Sequence, residues 1–137
     1  GVPPLRYVRE AALAGQLPPR AAGRVRARHG AHELVRQLKR LLNNLNQLAR
    51  VADQEGDDGA AEALAITICT TESAVKAAAA RRGGADALAA ITAEVVEAGR
   101  NLNEVTHGAH IVEELPPIDE LAAALSRILV AVHQVLR

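Results

Sequence analysis

The stretch LVRQLKRLLNNLN, residues 34–46, decides the architecture, because it returns in degenerate form as ITAEVVEAGRNLN at residues 91–103. Asn44-Leu45-Asn46 meets Asn101-Leu102-Asn103, and roughly fifty residues around that motif align without a gap. At this offset of 57 residues, the distance from Asn44 to Asn101, Leu34, Leu38 and Leu48 fall on Ile91, Val95 and Val105. Farther along, Leu64, Ile68, Ala74 and Val75 fall on Leu121, Leu125, Ala131 and Val132. A fixed period marks the architectural unit. Each unit here reads as a helical hairpin, and two hairpins are too few for a solenoid. The expected fold is therefore all-α: an antiparallel four-helix bundle built from two tandem hairpins.

Outward from the motif, apolar residues recur at helical spacing in four segments. The first, about 31–53, carries Leu34, Leu38, Leu41, Leu42, Leu45, Leu48 and Ala52, and ends at the turn signal Glu55-Gly56-Asp57-Asp58-Gly59. The second, about 60–80, places Leu64, Ile68, Thr71 and Val75 on one side and closes at Arg81-Arg82-Gly83-Gly84. The third, about 86–113, uses Leu88, Ile91, Val95, Leu102 and Val105. The fourth begins near Pro117 and runs through Ile118, Leu121, Leu125, Ile128, Val132 and Val135. Hairpin 1 thus covers about 31–81 and hairpin 2 about 85–137. Residues 4–14 read as a short separate helix, and 15–30 (GQLPPRAAGRVRARHG) as a Pro/Gly/Arg-rich linker, a flexible basic arm. No stretch has the alternation of a strand.

The formal net charge of zero conceals a division. Residues 1–50 hold ten Lys/Arg against Glu10 and Glu33, a net of +8; residues 51–137 hold six against fourteen acids, a net of −8. Such asymmetry points to a basic surface for a polyanion on an otherwise acidic body, although a charge run is also what a solvated helix face carries. Tyr7 is the single aromatic residue, which argues against base stacking as a mode of nucleic-acid binding. The lone Cys69 forms no internal disulfide, as expected in a reducing cytoplasm. The longest apolar stretches are short and interrupted by charge, so no membrane span is expected. The chain opens on Gly1-Val2-Pro3-Pro4 without an initiator Met, as a fragment would.

At 100° per residue, with Leu45 pointing inward, Leu34, Leu38, Leu41 and Leu48 lie within about 60° of it, and Asn44 and Asn46 about 100° to either side. Asn101 and Asn103 flank Leu102 in the same way. Amides at the border of a buried stripe can bond a neighbouring helix and fix its register. Nothing argues for catalysis or a cofactor. A di-iron bundle needs two Glu-x-x-His pairs, and Glu104/His107 has Gln47/Arg50 as its counterpart. His107, His110 and Glu114 could share a face, yet histidine near a helix C-terminus is favoured by the dipole alone. Cys69, matched by Ser126 and set among Ala, Ile and Thr, reads as a small buried residue rather than a nucleophile.

The run Val35-Arg36-Gln37-Leu38-Lys39-Arg40-Leu41-Leu42-Asn43-Asn44-Leu45-Asn46-Gln47-Leu48-Ala49-Arg50 resembles the signature helix of bacterial plasmid mobilisation proteins of the MobC type. Upstream, Gly1-Val2, Tyr7-Val8-Arg9-Glu10-Ala11-Ala12-Leu13 and Leu17-Pro18-Pro19 look like the second helix of that family's ribbon-helix-helix domain with its Pro-rich exit. The resemblance covers residues 1–52, so residues 1–30 read as a remnant of that domain plus linker. In the family a β-strand and a first helix precede the position of Gly1. If the chain starts at Gly1, the resemblance implies that sequence-specific readout is lost or badly impaired. Pro3 and Pro4 also stand where free N–H groups would hold a phosphate.

The resemblance implies a non-enzymatic, cytoplasmic relaxosome accessory protein for plasmid mobilisation and conjugative transfer. It implies DNA at the origin of transfer and the relaxase as partners, and a homodimer where the ribbon is present. Arg20, Arg24, Arg26, Arg28, Arg36, Lys39 and Arg40 are the expected phosphate contacts, with Arg6 and Arg9 beside them. In the second hairpin Glu104 replaces Gln47 and His107 replaces Arg50, so that copy is expected to be a packing partner rather than a second DNA site. The alternative is a helical protein-interaction module that binds no DNA.

Overall fold

Leucines at helical spacing, with few β-branched residues among them, build the first helix, α1, Pro19–Glu55. The computed structural model describes residues 19–81, 85–112 and 114–137, with side chains over 29–81, 86–106 and 114–137. After α1 come α2, Asp58–Ala80, α3, Ala85–Val112, and α4, Ile118–Leu136. These are the two tandem hairpins expected from the repeat, joined as an all-α four-helix bundle.

The beginning of α1 departs from the sequence reading, because residues 19–30 are helical rather than linker. Pro19 suits the first turn, and Ala21, Ala22, Ala27 and four arginines are strong helix formers. Gly23 and Gly30 each cost only about 1 kcal/mol relative to alanine inside a helix. A Cβ at Gly30 would lie 3.5 Å from Leu88 Cβ of α3, an ordinary contact, so this position marks where α1 and α3 meet. The short helix expected at 4–14 lies outside the described residues.

Two residues suffice for the turn between α1 and α2. Gly56 takes a φ of 69°, where an L side chain is strained, and Asp57 N–H donates to Ala52 O at 3.0 Å. Asp57 then caps α2, its Oδ1 accepting from Ala60 N–H at 3.0 Å. The resulting antiparallel pair is one wall of the bundle. The other wall, α3 with α4, repeats it.

The sequence reading expected an antiparallel bundle; the structure is antiparallel only within each hairpin, and between the walls the helices run parallel. Each helix touches two others: α1 packs on α2 and α3, and α4 packs on α2 and α3. Gly30 abuts Leu88, Gly99 lies near Leu41, and Asn44 meets Asn103, so residue numbers on α1 and α3 rise together. At one end of the bundle Arg81, which terminates α2, donates from Nη1 to Val135 O at 2.8 Å and Gln134 O at 3.3 Å, capping the last carbonyls of α4. At the other, Glu55 at the end of α1 accepts from Leu115 N–H at 3.0 Å, just before α4 starts.

The core follows the repeat. Leu34, Leu38, Leu41 and Leu45 are buried, and so are Ile91, Val95, Ala98 and Leu102 at the same offset. Leu64, Thr67, Thr71, Ala74 and Ala78 are matched by Leu121, Ala124, Ile128, Ala131 and Val135, all buried. On α2 the inward face is shifted from the expected one. Leu64 and Thr71 point in, but Ile68 and Val75 sit half-buried on the flank while Thr67 and Ala74 take the interior. The two threonines are tolerated because each hydroxyl donates to a carbonyl one turn back, Thr67 to Ala63 at 2.9 Å and Thr71 to Thr67 at 2.7 Å.

The same shift corrects the expectation for Cys69, which is exposed. It follows Thr67 by about 200° on the wheel and so faces away from the core. Helix α2 also has an 18-residue window of mean hydropathy 1.2, long and apolar enough by composition to cross a membrane. Glu72 and Lys76 interrupt that stretch, as the sequence reading expected.

Candidate nucleic-acid interface

With Leu45 fully buried, the wheel of α1 puts Arg36 on the side away from the core, and Lys39 and Arg40 on either shoulder. All three are exposed. One acid intrudes: Glu33 Oε1 accepts from Arg36 Nη2 at 2.9 Å and from Gln37 Nε2 at 2.9 Å. The hydrogen bond from Gln37, followed by that from Arg36, holds the Glu33 carboxyl below its ordinary pKa. It is therefore a charged neighbour that offsets part of Arg36. Lys39 and Arg40 have no carboxylate partner among the described residues.

Arg6 and Arg9 lie outside the described residues, and of Arg20, Arg24, Arg26 and Arg28 only the helical backbone is described. Those four arginines belong to the same continuous helix as Arg36, Lys39 and Arg40 rather than to a flexible arm. At 1.5 Å per residue the 37-residue helix is about 55 Å long.

The motif residues divide by edge. Leu45 and Leu102 are fully buried. Asn44 Nδ2 donates to Asn103 Oδ1 at 3.0 Å across the α1–α3 contact. In the repeat, Asn44 corresponds to Asn101, so the bond joins residues that are not equivalent. Asn46 is exposed and Asn101 half-buried, each on the opposite edge of its helix from the bonded amide.

Beside the amide pair a groove of about 210 Å³ runs between α1 and α3. Gln37, Arg40, Leu41 and Asn44 line one bank, and Val95, Val96, Gly99, Arg100 and Asn103 the other. Arg100 Nη1 donates to Glu97 Oε2 at 3.2 Å, with both side chains about two-thirds exposed. Two acids of α3, Glu94 and Glu97, line the separate groove between α3 and α4 together with Arg127. Sequence reasoning did not associate Arg100 or Gln37 with the basic surface. No signal in the chain states which edge of α3 meets α1; the tertiary pairing alone brings them together.

The helix that carries this face also carries the family signal. Residues 35–67 match the family model described as bacterial mobilisation protein (MobC). That stretch, about a quarter of the chain, is similar to the MobC family. It spans α1 from Val35 onward, the Gly56-Asp57 turn, and α2 as far as Thr67. The resemblance read from Val35–Arg50 is thus shown there, while the match leaves out residues 1–34. The MobC match supports a role related to mobilisation. No curated protein and no solved structure matches the chain.

Proposed function

We propose that the protein is a cytoplasmic relaxosome accessory factor for plasmid mobilisation, which binds DNA near the origin of transfer and assists assembly of the relaxase there. The observation that carries this reading is the coincidence of the MobC segment with the exposed cations Arg36, Lys39 and Arg40 on α1. A long cationic helix suits the phosphate backbone, where Arg and Lys fix position without reading sequence. Arg20, Arg24, Arg26 and Arg28 extend the same element, and Arg6 and Arg9 belong to the proposed surface as well. The protein acts by binding and not by catalysis.

A second reading is a helical module that docks another protein without touching DNA; the exposed Ile66 on α2 and Ile118, Val130 and Leu136 on α4 are the apolar side chains such a module would offer. Affinity for a labelled duplex carrying the nick region, measured against a scrambled duplex across a salt series, separates the two. A DNA-binding face loses affinity steeply with salt, by about 0.9 in log–log slope for each phosphate neutralised. Absence of binding at low salt refutes the DNA reading and leaves the docking module.

A further inference from the structure

Arg40 and Arg100 stand on opposite banks of the α1–α3 groove, and Gly99, having no side chain, leaves the space between the banks open. We infer that this groove seats a phosphodiester of the bound DNA backbone, gripped by Arg40 from the first hairpin and Arg100 from the second. The inference rests on the DNA-binding reading above and deepens it, because it makes the second hairpin half of the contact rather than a packing partner.

Two arginines lining opposite sides of one groove can, by turning their long side chains inward, each present paired N–H donors to one phosphate, the geometry in which arginine surpasses lysine. The amide pair closes one side of the groove. Asn103 uses its Oδ1 to accept from Asn44, which leaves its own Nδ2 hydrogens free to donate to an anion. Three carboxylates lie near, the exposed Glu104 one turn beyond Arg100 among them, and Glu104 is part of the charge that the two arginines outweigh. Glu33 is occupied by Arg36 and Gln37. Glu97 holds Arg100 through one contact at 3.2 Å between side chains 63% and 69% exposed, and such a pair contributes little in water. A phosphate displaces it readily. A Cβ at Gly99 would stand 4.0 Å from Leu41 Cδ1, so the groove floor is in ordinary contact and the opening lies toward solvent.

The decisive experiment measures affinity of the full chain for a labelled duplex over a salt series in four variants, Arg40→Gln and the three that follow. Arg100→Gln removes the second-hairpin cation. Arg127→Gln removes the same charge from the α3–α4 groove. Arg100→Lys keeps the charge but not the fork. If the groove seats a phosphate, R100Q lowers the log–log salt slope by about 0.9 and weakens binding by roughly fivefold at 0.15 M salt, the worth of one neutralised phosphate. R127Q leaves the slope unchanged, and R100K retains the slope with part of the affinity. Equal, small effects of R100Q and R127Q overturn the inference. If R100Q binds like the unmodified chain while Arg40→Gln weakens binding, the groove seat is wrong and the DNA-binding face on α1 stands. If the unmodified chain binds no duplex, the functional reading falls and the seat falls with it. All three replaced arginines are solvent-facing, and a coincident thermal melt checks that each variant is folded.

Discussion

A disulfide between α1 and α3 tests the parallel arrangement of the two hairpins most directly. A Cβ at Gly30 would lie 3.5 Å from Leu88 Cβ, at the short end of the separations a disulfide spans. The variant is Gly30→Cys with Leu88→Cys, in a Cys69→Ser background that leaves no other thiol. Were α1 and α3 antiparallel, residue 30 would face the far end of α3, more than about 30 Å from position 88 at 1.5 Å per residue. The bridge closes a loop of about 60 residues, for which chain-entropy arithmetic gives a ceiling of about 4 kcal/mol at 25 °C. Losing the fully buried Leu88 side chain costs an estimated 2–4 kcal/mol, so the net gain over the parent chain is small. The informative comparison is oxidised against reduced protein of the same variant, where the Leu88 cost cancels. Urea unfolding followed by circular dichroism should show a midpoint higher by about 2 M on oxidation, taking a slope of about 2 kcal/mol per M. Non-reducing electrophoresis should show a faster monomer. Failure to form an intramolecular bridge under oxidant, with only disulfide-linked dimers appearing, would refute the parallel packing of α1 and α3.

Three further outcomes follow from individual contacts. Arg81→Ala removes two hydrogen bonds to the last turn of α4 and should destabilise the chain by about 1–2 kcal/mol in urea unfolding, with faster amide exchange at the end of α4 than elsewhere. Gly56→Ala forces a β-carbon into the left-handed region and should cost about 1 kcal/mol, whereas Gly59→Ala, in a right-handed helical turn with room around it, should be neutral or slightly stabilising. Glu33 has a folded pKa below its unfolded value. Its contribution is therefore present above the unfolded pKa and is lost as pH falls through the folded one. Stability measured downward from pH 6 should consequently fall less steeply in Glu33→Gln than in the parent; identical profiles would show that the Gln37 and Arg36 bonds do not persist in solution.

What could be read from the chain was whatever depends on period and sign. The offset of 57 gave the hairpins, and the burial of Leu34 with Ile91, Leu45 with Leu102 and Leu64 with Leu121 shows the same offset operating in the core. The charged face of α1 follows from the same wheel. Three things were not legible, each for a physical reason. Pro and Gly in residues 15–30 suggested a linker, but one proline is harmless in a first turn and an isolated glycine costs too little to stop an arginine- and alanine-rich helix. On α2, nearly every residue is apolar or small, so periodicity could not distinguish the Thr67–Ala74 face from the Ile68–Val75 face. Which helices meet across the hairpins is a tertiary matter. A wheel identifies two edges on α3 without stating which one faces α1, and the pairing of Arg40 with Arg100 was hidden for that reason.

The parallel setting of the hairpins has a bearing on how a duplicated gene segment can change. Asn44 and Asn103 occupy opposite edges of their own helices, so a tripeptide with asparagine on both sides of its leucine serves either copy without alteration. The rest of the segment has no such freedom. The counterpart of Gly99 is Leu42 and the counterpart of Arg100 is Asn43. A recombination event rewriting the second copy to match the first would put leucine at the floor of the groove and asparagine on its bank. The opening between α1 and α3 exists because the copies have drifted apart, and restoring their identity would close it.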